Sequence, residues 1–313
     1  MKILVTGGAG FIGSHLVRRL VRDRAGSVTI LDNFHRGRPE NLADCLDEIR
    51  LVRADIRNPS ALLEALRGID LVYHLAAQSS VMGAEADADY TFQTNVVGTF
   101  DLLRAARTNG VRRVVFASSR EVYGDPLHVP VPETAPLKPK NLYGASKVAG
   151  EAYCSVFASD GLETAVLRLA NVYGPGDTGR VIPLFLQRAL QGQPLVLFGG
   201  QQVLDFVRID TVVEALCKAG FGDPILEPLN IGSGKGVTIS NLSRRVLQLT
   251  GWRSQLQIVP ARQTEVTRFV ADITRARQLL ALEQPADPLC ALHELVACMR
   301  AERSQELLLE QLA

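Results

Sequence analysis

Along the first 170 residues, apolar positions recur with two alternating periods. Lys2-Ile3-Leu4-Val5-Thr6 is a short run rich in β-branched residues and bounded by glycine, which predicts a buried strand. It is followed by Phe11, Ile12, Leu16, Val17 and Leu20 at helical spacing. Strand-like runs return at Val28-Leu31, Arg50-Val52, Leu71-His74 and Val114-Ala117, and helical stretches lie between them, Ser60-Leu66 and Asp89-Arg107 among them. A βαβαβ alternation implies an α/β protein with a doubly wound, Rossmann-like parallel sheet covered by helices on both faces. After about residue 170 the rhythm becomes loop-rich ("GPGDTGRVIP", "LFGGQQ"). Two regions are therefore expected: 1–170, with part of 205–235 returning to it, and a smaller one made mainly of 171–313. The stretch "GDPLHVPVPETAPLKPK" carries five prolines in 17 residues and is expected to be a long surface loop of the functional kind.

Composition narrows the classes. The chain has 313 residues, enough for a substantial core, and a net charge of +1, which gives no electrostatic footprint for nucleic acid or an anionic membrane. No apolar run approaches the roughly 18 residues that span a bilayer, and the run before the first glycines is too short for a secretory leader. The five cysteines are dispersed without a C-x-x-C pair, as expected of reduced core thiols in a cytoplasmic protein. No His, Cys and Asp cluster has metal-ligand spacing, so no metal is expected.

Four glycines in "TGGAGFIGSH" sit between the first strand and the first helix, with Gly7, Gly10 and Gly13 three apart. This spacing lets the backbone turn tightly and approach a pyrophosphate, which the free N–H groups of a helix N-terminus stabilise. Asp32 ends the second strand nineteen residues past Gly13, where a carboxylate accepts the ribose hydroxyls and repels a 2′-phosphate. NAD is the expected cofactor. Arg36 and Arg38 are read as facing solvent or cofactor phosphate.

A second signal is "NLYGASKVAGEAY". Tyr143 and Lys147 lie four apart, on one face of a helix. A phenol has a pKa near 10, and a neighbouring ammonium moves it toward the working range of a base. With six tyrosines and six lysines in the chain, chance gives only about 0.1 such pairs. Ser118 and Ser119 end the strand before "REVYGD", at the edge where open α/β sheets place their ligands. His74 reads as a hydrogen-bonded core residue and Trp252 as core. "GSGKG" departs from a phosphate loop because Gly236 follows its lysine.

In this order the motifs resemble the extended short-chain dehydrogenase/reductases of the NAD-dependent nucleotide-sugar epimerase/dehydratase group. The resemblance runs from "VTGGAGFIGSHL" through "DNFHRG", "ADIRN", "VYHLAAQSSV", "NVVGTFDLLRAA", "ASSREVYGDP" and "YGASKVAGE" to "RLANVYGPG" and "DFVRIDTVVEAL". It implies Ser119, Tyr143 and Lys147 as the catalytic trio. Cofactor contacts would come from Gly7, Gly10, Phe11, Ile12, Gly13, Asp32, Asn33, Asp55, Ile56, Leu75, Ala76, Ala77 and Asn95, together with Tyr143 and Lys147. Asn171, Arg262 and Glu265 would bind the nucleotide diphosphate and its ribose. Helices near 89–107 and 142–158 would pair in a homodimer.

One departure is "GGQQVLDF", in which Leu204 replaces a diphosphate-binding arginine of the group; Arg180 and Arg208 are the candidates to supply that charge. The resemblance implies oxidation of a nucleotide sugar at C4, with UDP the expected nucleotide. A 4-epimerase needs only the trio. A 4,6-dehydratase also needs an acid and a base. Glu121 stands at the base position, as it does in uronic-acid decarboxylases, but Arg120 holds the acid position and stays protonated. A 4-epimerase is therefore expected first, a decarboxylase second, a dehydratase third, and a non-catalytic NAD sensor last. Arg120 either binds a substrate C6 carboxylate or pairs with Glu121, Asp125 or another nearby acid.

Overall fold

The computed structural model describes residues 1–251 and 255–301; Trp252 lies outside the described residues. The described strands are β1 (Lys2–Thr6), β2 (Ser27–Asp32), β3 (Ile49–Arg53), β4 (Leu71–His74), β5 (Arg113–Ser119), β6 (Glu163–Leu169), β7 (Asn171–Tyr173), β8 (Leu195–Phe198), β9 (Val203–Arg208), β10 (Leu229–Ile231), β11 (Gly236–Thr238) and β12 (Leu256–Val259). Seven form one sheet in the order β10-β6-β5-β4-β1-β2-β3, and every pairing in it is parallel. Strand order reverses beside β1, and at such a switch point the carboxyl edge of a doubly wound sheet opens a ligand crevice. The expected Rossmann-like architecture is present.

Burial on both faces explains the continuous apolar runs: β4 and β5 are buried along their whole length. On one face, Leu16, Val17 and Leu20 of the helix Phe11–Arg22 pack with Val212, Ala215, Leu216 and Ala219 of the helix Ile209–Phe221. On the other, Leu62, Leu102, Leu103, Cys154 and Phe157 come from three further helices. A separate core around Phe185, Leu186, Leu197, Phe206, Leu242 and Leu292 supports the small sheets β11-β9-β7 and β12-β8.

Two expectations need adjusting. The stretch 89–107 is not one regular helix: α-helical Ala88–Thr91 passes into a π-helical segment, Phe92–Val97, and then into α-helical Gly98–Thr108. The wider turn buries Thr94 and Asn95 together, and π-turns of this kind recur at functional sites. The proline-rich segment is not wholly on the surface. Val131 is fully buried; its N–H donates to Val270 O (2.8 Å), and its carbonyl accepts from Asp272 N (2.9 Å).

Behind the carboxyl edge lies a buried ion pair absent from the expected site. Arg168 on β6 donates to both carboxylate oxygens of Glu151 on the helix Leu142–Ser159, at 2.7 to 3.1 Å. Its remaining arm donates to Tyr123 Oη (2.8 Å) and Glu133 O (2.9 Å), and Ser118 Oγ also donates to Glu151. Replacing Glu151 with alanine leaves a buried guanidinium without its carboxylate. It should cost about 3–5 kcal/mol, read from the urea midpoint at unchanged slope. The double replacement Glu151→Leu, Arg168→Met should cost less than this single one. A loss below about 1 kcal/mol for Glu151→Ala would show that the pair does not anchor the helix.

Candidate active site

The glycine turn is forced by close backbone approach. Gly7 has φ +70°, and a Cβ there would lie 2.8 Å from Ala76 Cα; one at Gly13 would lie 2.2 Å from Gly7 O. Gly10 N donates to Gly7 O (3.1 Å), and the helix it begins has neither a side-chain cap nor an acid in its first turn. Its first N–H groups, those of Phe11, Ile12 and Gly13, therefore suit an anion. The buried Asp32 carboxylate accepts from Ala9 N (3.0 Å) and Phe34 N (2.8 Å). Burial raises its pKa, and those two N–H groups oppose the rise. Gly37, not singled out from the sequence, passes so close that its Cβ would lie 2.9 Å from both Asp32 oxygens.

Farther along the crevice, Asn33 donates to Asp55 (2.8 Å), whose carboxylate also accepts two bonds from the Arg57 side chain. Arg57 holds the Asp55 pKa down at about 2. Tyr90, another residue the sequence did not mark, has Arg57 over its ring at 4.6 Å. Ile56 is buried beside Gly98. Leu75 N donates to Thr6 O (3.1 Å), and Ala76 and Ala77 follow in the segment that passes the glycine turn. Asn95 spends its amide on Gln78 N (2.8 Å), Gln78 O (3.1 Å) and Ser146 Oγ (2.9 Å), tying that segment to the helix Leu142–Ser159. His74 lies between Thr6 Oγ1 (2.8 Å) and Thr99 Oγ1 (2.9 Å), and burial pushes its pKa down to about 3. It is a neutral core residue.

Asn141 caps the helix Leu142–Ser159 by accepting from Gly144 N (2.8 Å), which places Tyr143 in the first turn. Gly144 and Gly150 bring this helix down on the sheet: each Cβ would lie 2.5 Å from a neighbour, Glu121 O and Phe116 Cζ respectively. Lys147 is buried beneath it. Its ammonium donates to Ala117 O (2.9 Å) and lies 4.8 Å from the Phe116 ring centre and 5.8 Å from that of Tyr143. Burial pushes the Lys147 pKa down to about 8, against the pull of Cys154 and Glu151.

Burial likewise raises the Tyr143 phenol, and Glu121 adds to the rise. The opposing influences are Arg180, a hydrogen bond from Ser119, and Arg120. Arg180 and Arg120, which the sequence did not mark for this, join Lys147 as cations near the phenol; the Lys147 ammonium itself sits deeper, over Phe116. Ser119 ends β5, and its Oγ accepts from Glu121 N (3.2 Å). Glu121 is buried between Arg120 (2.9 Å) and Asn141 Nδ2 (2.8 Å). Asp125, the other acid considered for Arg120, pairs with Lys140 (2.6 Å) and accepts from Thr267 N (2.8 Å).

Toward the smaller region, Asn171 donates to Asp205 O (3.0 Å). Arg180 pairs with Asp177 (3.0 Å) and lies 5.6 Å from the Phe11 ring centre. Burial pushes the Asp177 pKa up to about 6. Arg262 pairs with Glu265 (2.9 Å) and stacks 3.7 Å over Phe198, an aromatic partner the sequence did not mark. Arg208 is taken up by Asp210 (2.8 Å) and Glu294 (3.6 Å), and Leu204 is buried in the small core. Of the two candidates for the charge missing at Leu204, Arg208 is spent on these two acids, while the charge of Arg180 acts on the Tyr143 phenol. The "GSGKG" amides are already used: Ser233 N (2.7 Å) and Gly234 N (3.0 Å) both donate to buried Asp205.

A glycine turn opening a helix, with a Ser, a Tyr and a Lys gathered at the carboxyl edge of a parallel sheet, is the arrangement expected of a short-chain dehydrogenase-type enzyme. The chain belongs to the NAD dependent epimerase/dehydratase family, whose model matches residues 3–232. It is 38% identical to the UDP-glucose 4-epimerase of Mycolicibacterium smegmatis, over 90% of this chain and 92% of that one. It is 34% identical to UDP-glucuronic acid decarboxylase 5 of Arabidopsis thaliana, over 90% and 84%. The solved UDP-glucose 4-epimerase of Thermotoga maritima with UDP-glucose superposes with a TM-score of 0.91 at 33% identity, covering 96% of this chain and 99% of that one.

Three outcomes follow from this geometry. Tyr143→Phe should keep bound NAD and retain less than a tenth of turnover, whereas Asp32→Ala should lower the NAD that copurifies; HPLC of the released cofactor reads both. The Lys147 ammonium is present below its pKa and is lost as pH rises through about 8, so kcat should fall across that range. Lys147→Arg should shift any surviving alkaline fall upward, and an unchanged fall would assign it to another group.

Proposed function

We propose that this chain is an NAD-dependent UDP-sugar 4-epimerase acting through a 4-keto intermediate. The observation that carries the reading is the convergence of Ser119, Tyr143 and Lys147 on one edge of the sheet, with Arg120 next to Ser119. In this reading Gly7, Gly10 and Gly13 and the amides of Phe11 and Ile12 hold the cofactor pyrophosphate, and Asp32 with Asn33 holds a ribose. Bound NAD supplies the hydride acceptor and donor at sugar C4. Tyr143 removes the O4 proton, and Ser119 hydrogen-bonds the same oxygen. Arg180 and Arg120 lower the cost of the phenolate that forms. The ketosugar then turns over within the site, and Tyr143 returns the proton to O4.

Dehydration fits less well. Glu121 is held by Arg120 and Asn141, and an arginine cannot donate the proton a departing hydroxyl requires. Decarboxylation of a uronic acid is the second reading, favoured by Glu121 beside Ser119 and by the plant decarboxylase relative. A cofactor sensor without catalysis has no need of the retained trio.

Asn171, Arg262 and Glu265 are assigned to the nucleotide, with residues 171–313 forming most of its side of the cleft; Arg180, whose charge acts on Tyr143, is assigned to the sugar end of the site. Phe92, Leu142 and Val156 leave apolar surface exposed on the helices expected to pair, which supports a homodimer. All five cysteines are free thiols, in keeping with a cytoplasmic enzyme.

Incubation with a panel of UDP-sugars, followed by mass and NMR, tests the activity. The expected product is a C4 epimer of unchanged mass, and loss of water or carbon dioxide would replace this assignment with one of the other two. Light scattering at micromolar concentration should give twice the chain mass; a monomer rejects the paired-helix interface.

A further inference from the structure

Arg120 keeps more hydrogen-bonding capacity than its visible partner uses. Its side chain is only 12% exposed, and one arm reaches Glu121 Oε1 at 2.9 Å. The other terminal nitrogen, Nη1, is buried without a partner. A buried guanidinium N–H left unpaired costs free energy, and within a binding crevice a ligand can relieve that cost. The guanidinium lies 6.0 Å from the Phe269 ring centre, and its charge reaches the Tyr143 phenol. It follows Ser119 directly in the chain, at the end of the site where the reading above places C4 of the sugar.

The chemistry of the sugar narrows the ligand. The diphosphate is carried on C1, across the ring from C4, and meets the opposite end of the site. The exocyclic carbon nearest C4 is C6, attached to the adjacent C5. A cation next to Ser119 and Tyr143 is thus nearer the substituents of C3 and C5 than a phosphate, and of these only the C6 group on C5 can carry a negative charge. Of the groups that C6 carries in a hexose, a hydroxyl matches one donor weakly, whereas a carboxylate accepts a charge-assisted bond from the free arm.

We propose that Arg120 binds the C6 carboxylate of a nucleotide-linked uronic acid, so that the enzyme prefers a UDP-hexuronate over the neutral UDP-hexose. The assignment rests on the nucleotide-sugar reading above and sharpens its substrate class. Arg120 would bridge two carboxylates, that of Glu121 through one arm and that of the substrate through Nη1. Glu121 then orients the guanidinium, with Asn141 Nδ2 fixing Glu121 in turn.

Binding in a catalytically disabled protein separates this proposal from the activity. In a Tyr143→Phe background, calorimetry should give tighter binding of UDP-glucuronate than of UDP-glucose, by about tenfold or more, as expected for a hydrogen bond to a charged group. Adding Arg120→Ser should erase that preference, and Arg120→Lys should restore part of it. In the otherwise wild-type enzyme, Arg120→Ser should lower the uronate-to-hexose ratio of kcat/KM by a similar factor. Cofactor content and the urea midpoint of each variant check that the fold is kept. Equal affinity for the two sugars, or a preference that survives Arg120→Ser in folded protein, overturns the carboxylate site and leaves the epimerase reading standing. Failure to bind either sugar overturns the nucleotide-sugar reading itself.

Discussion

The candidate site depends on how the helix Leu142–Ser159 is held against the sheet, and the buried Arg168–Glu151 pair does the holding. Two parallel strands, β5 and β6, deliver Ser118 and Arg168 to the same carboxylate, with Glu151 reaching down from the helix. Tyr123 extends the network from Arg168 to Asn230 on β10 (2.8 Å), so the last strand of the sheet is tied in as well. Desolvating two charges is expensive, and such a pair is no better for stability than a well-packed apolar one. Its value lies in geometry: a fork-to-carboxylate contact fixes the rotation of the helix. That rotation determines where Tyr143 and Lys147, both N-terminal to Glu151 on the same helix, project.

The same pair reaches into the chemistry. Burial pushes Tyr143 up and Lys147 down, both toward their neutral forms. Each is countered from a different side. Glu151, one turn beyond Lys147, favours the ammonium, while Arg180 and Arg120 favour the phenolate from across the crevice. Those two arginines come from different parts of the fold: Arg120 follows β5, and Arg180 precedes the helix Val181–Leu190 of the smaller region. The charge state of the Tyr143 phenol is thus influenced jointly by the sheet, the helix and the segment that leads into the small core.

Much of this was legible in the chain because it follows local rules. Apolar runs marked β1, β2, β4 and β5; the glycines announced a turn that no Cβ would fit; the Tyr-Lys spacing placed two groups on one helical face. What stayed hidden depends on long-range pairing. Arg113, just ahead of the strand read at Val114-Ala117, carried no signal, yet it is buried, pairs with Glu163 (2.7 Å) and donates to Ala219 O (3.0 Å) and Gly222 O (2.7 Å) at the end of the helix Ile209–Phe221. Arg168 and Glu151 carried no signal either, since a charge in sequence reads as solvent-facing until its partner is found. The π-helical turn that buries Asn95 is a break in period too short for apolar spacing to register. The pairing of Arg120 with Glu121 was among the open alternatives, but the unpaired Nη1 that remains could be seen only in three dimensions.

The central claim is that the hydride leaving sugar C4 is kept by the enzyme and returned to the other face of the same carbon. UDP-glucose carrying deuterium at C4 tests it most directly, with the product analysed by NMR and mass spectrometry. The account predicts an inverted C4 that still carries the deuterium, with no change in mass. Deuterium exchanged into solvent, or moved to C6 with loss of water, would contradict it.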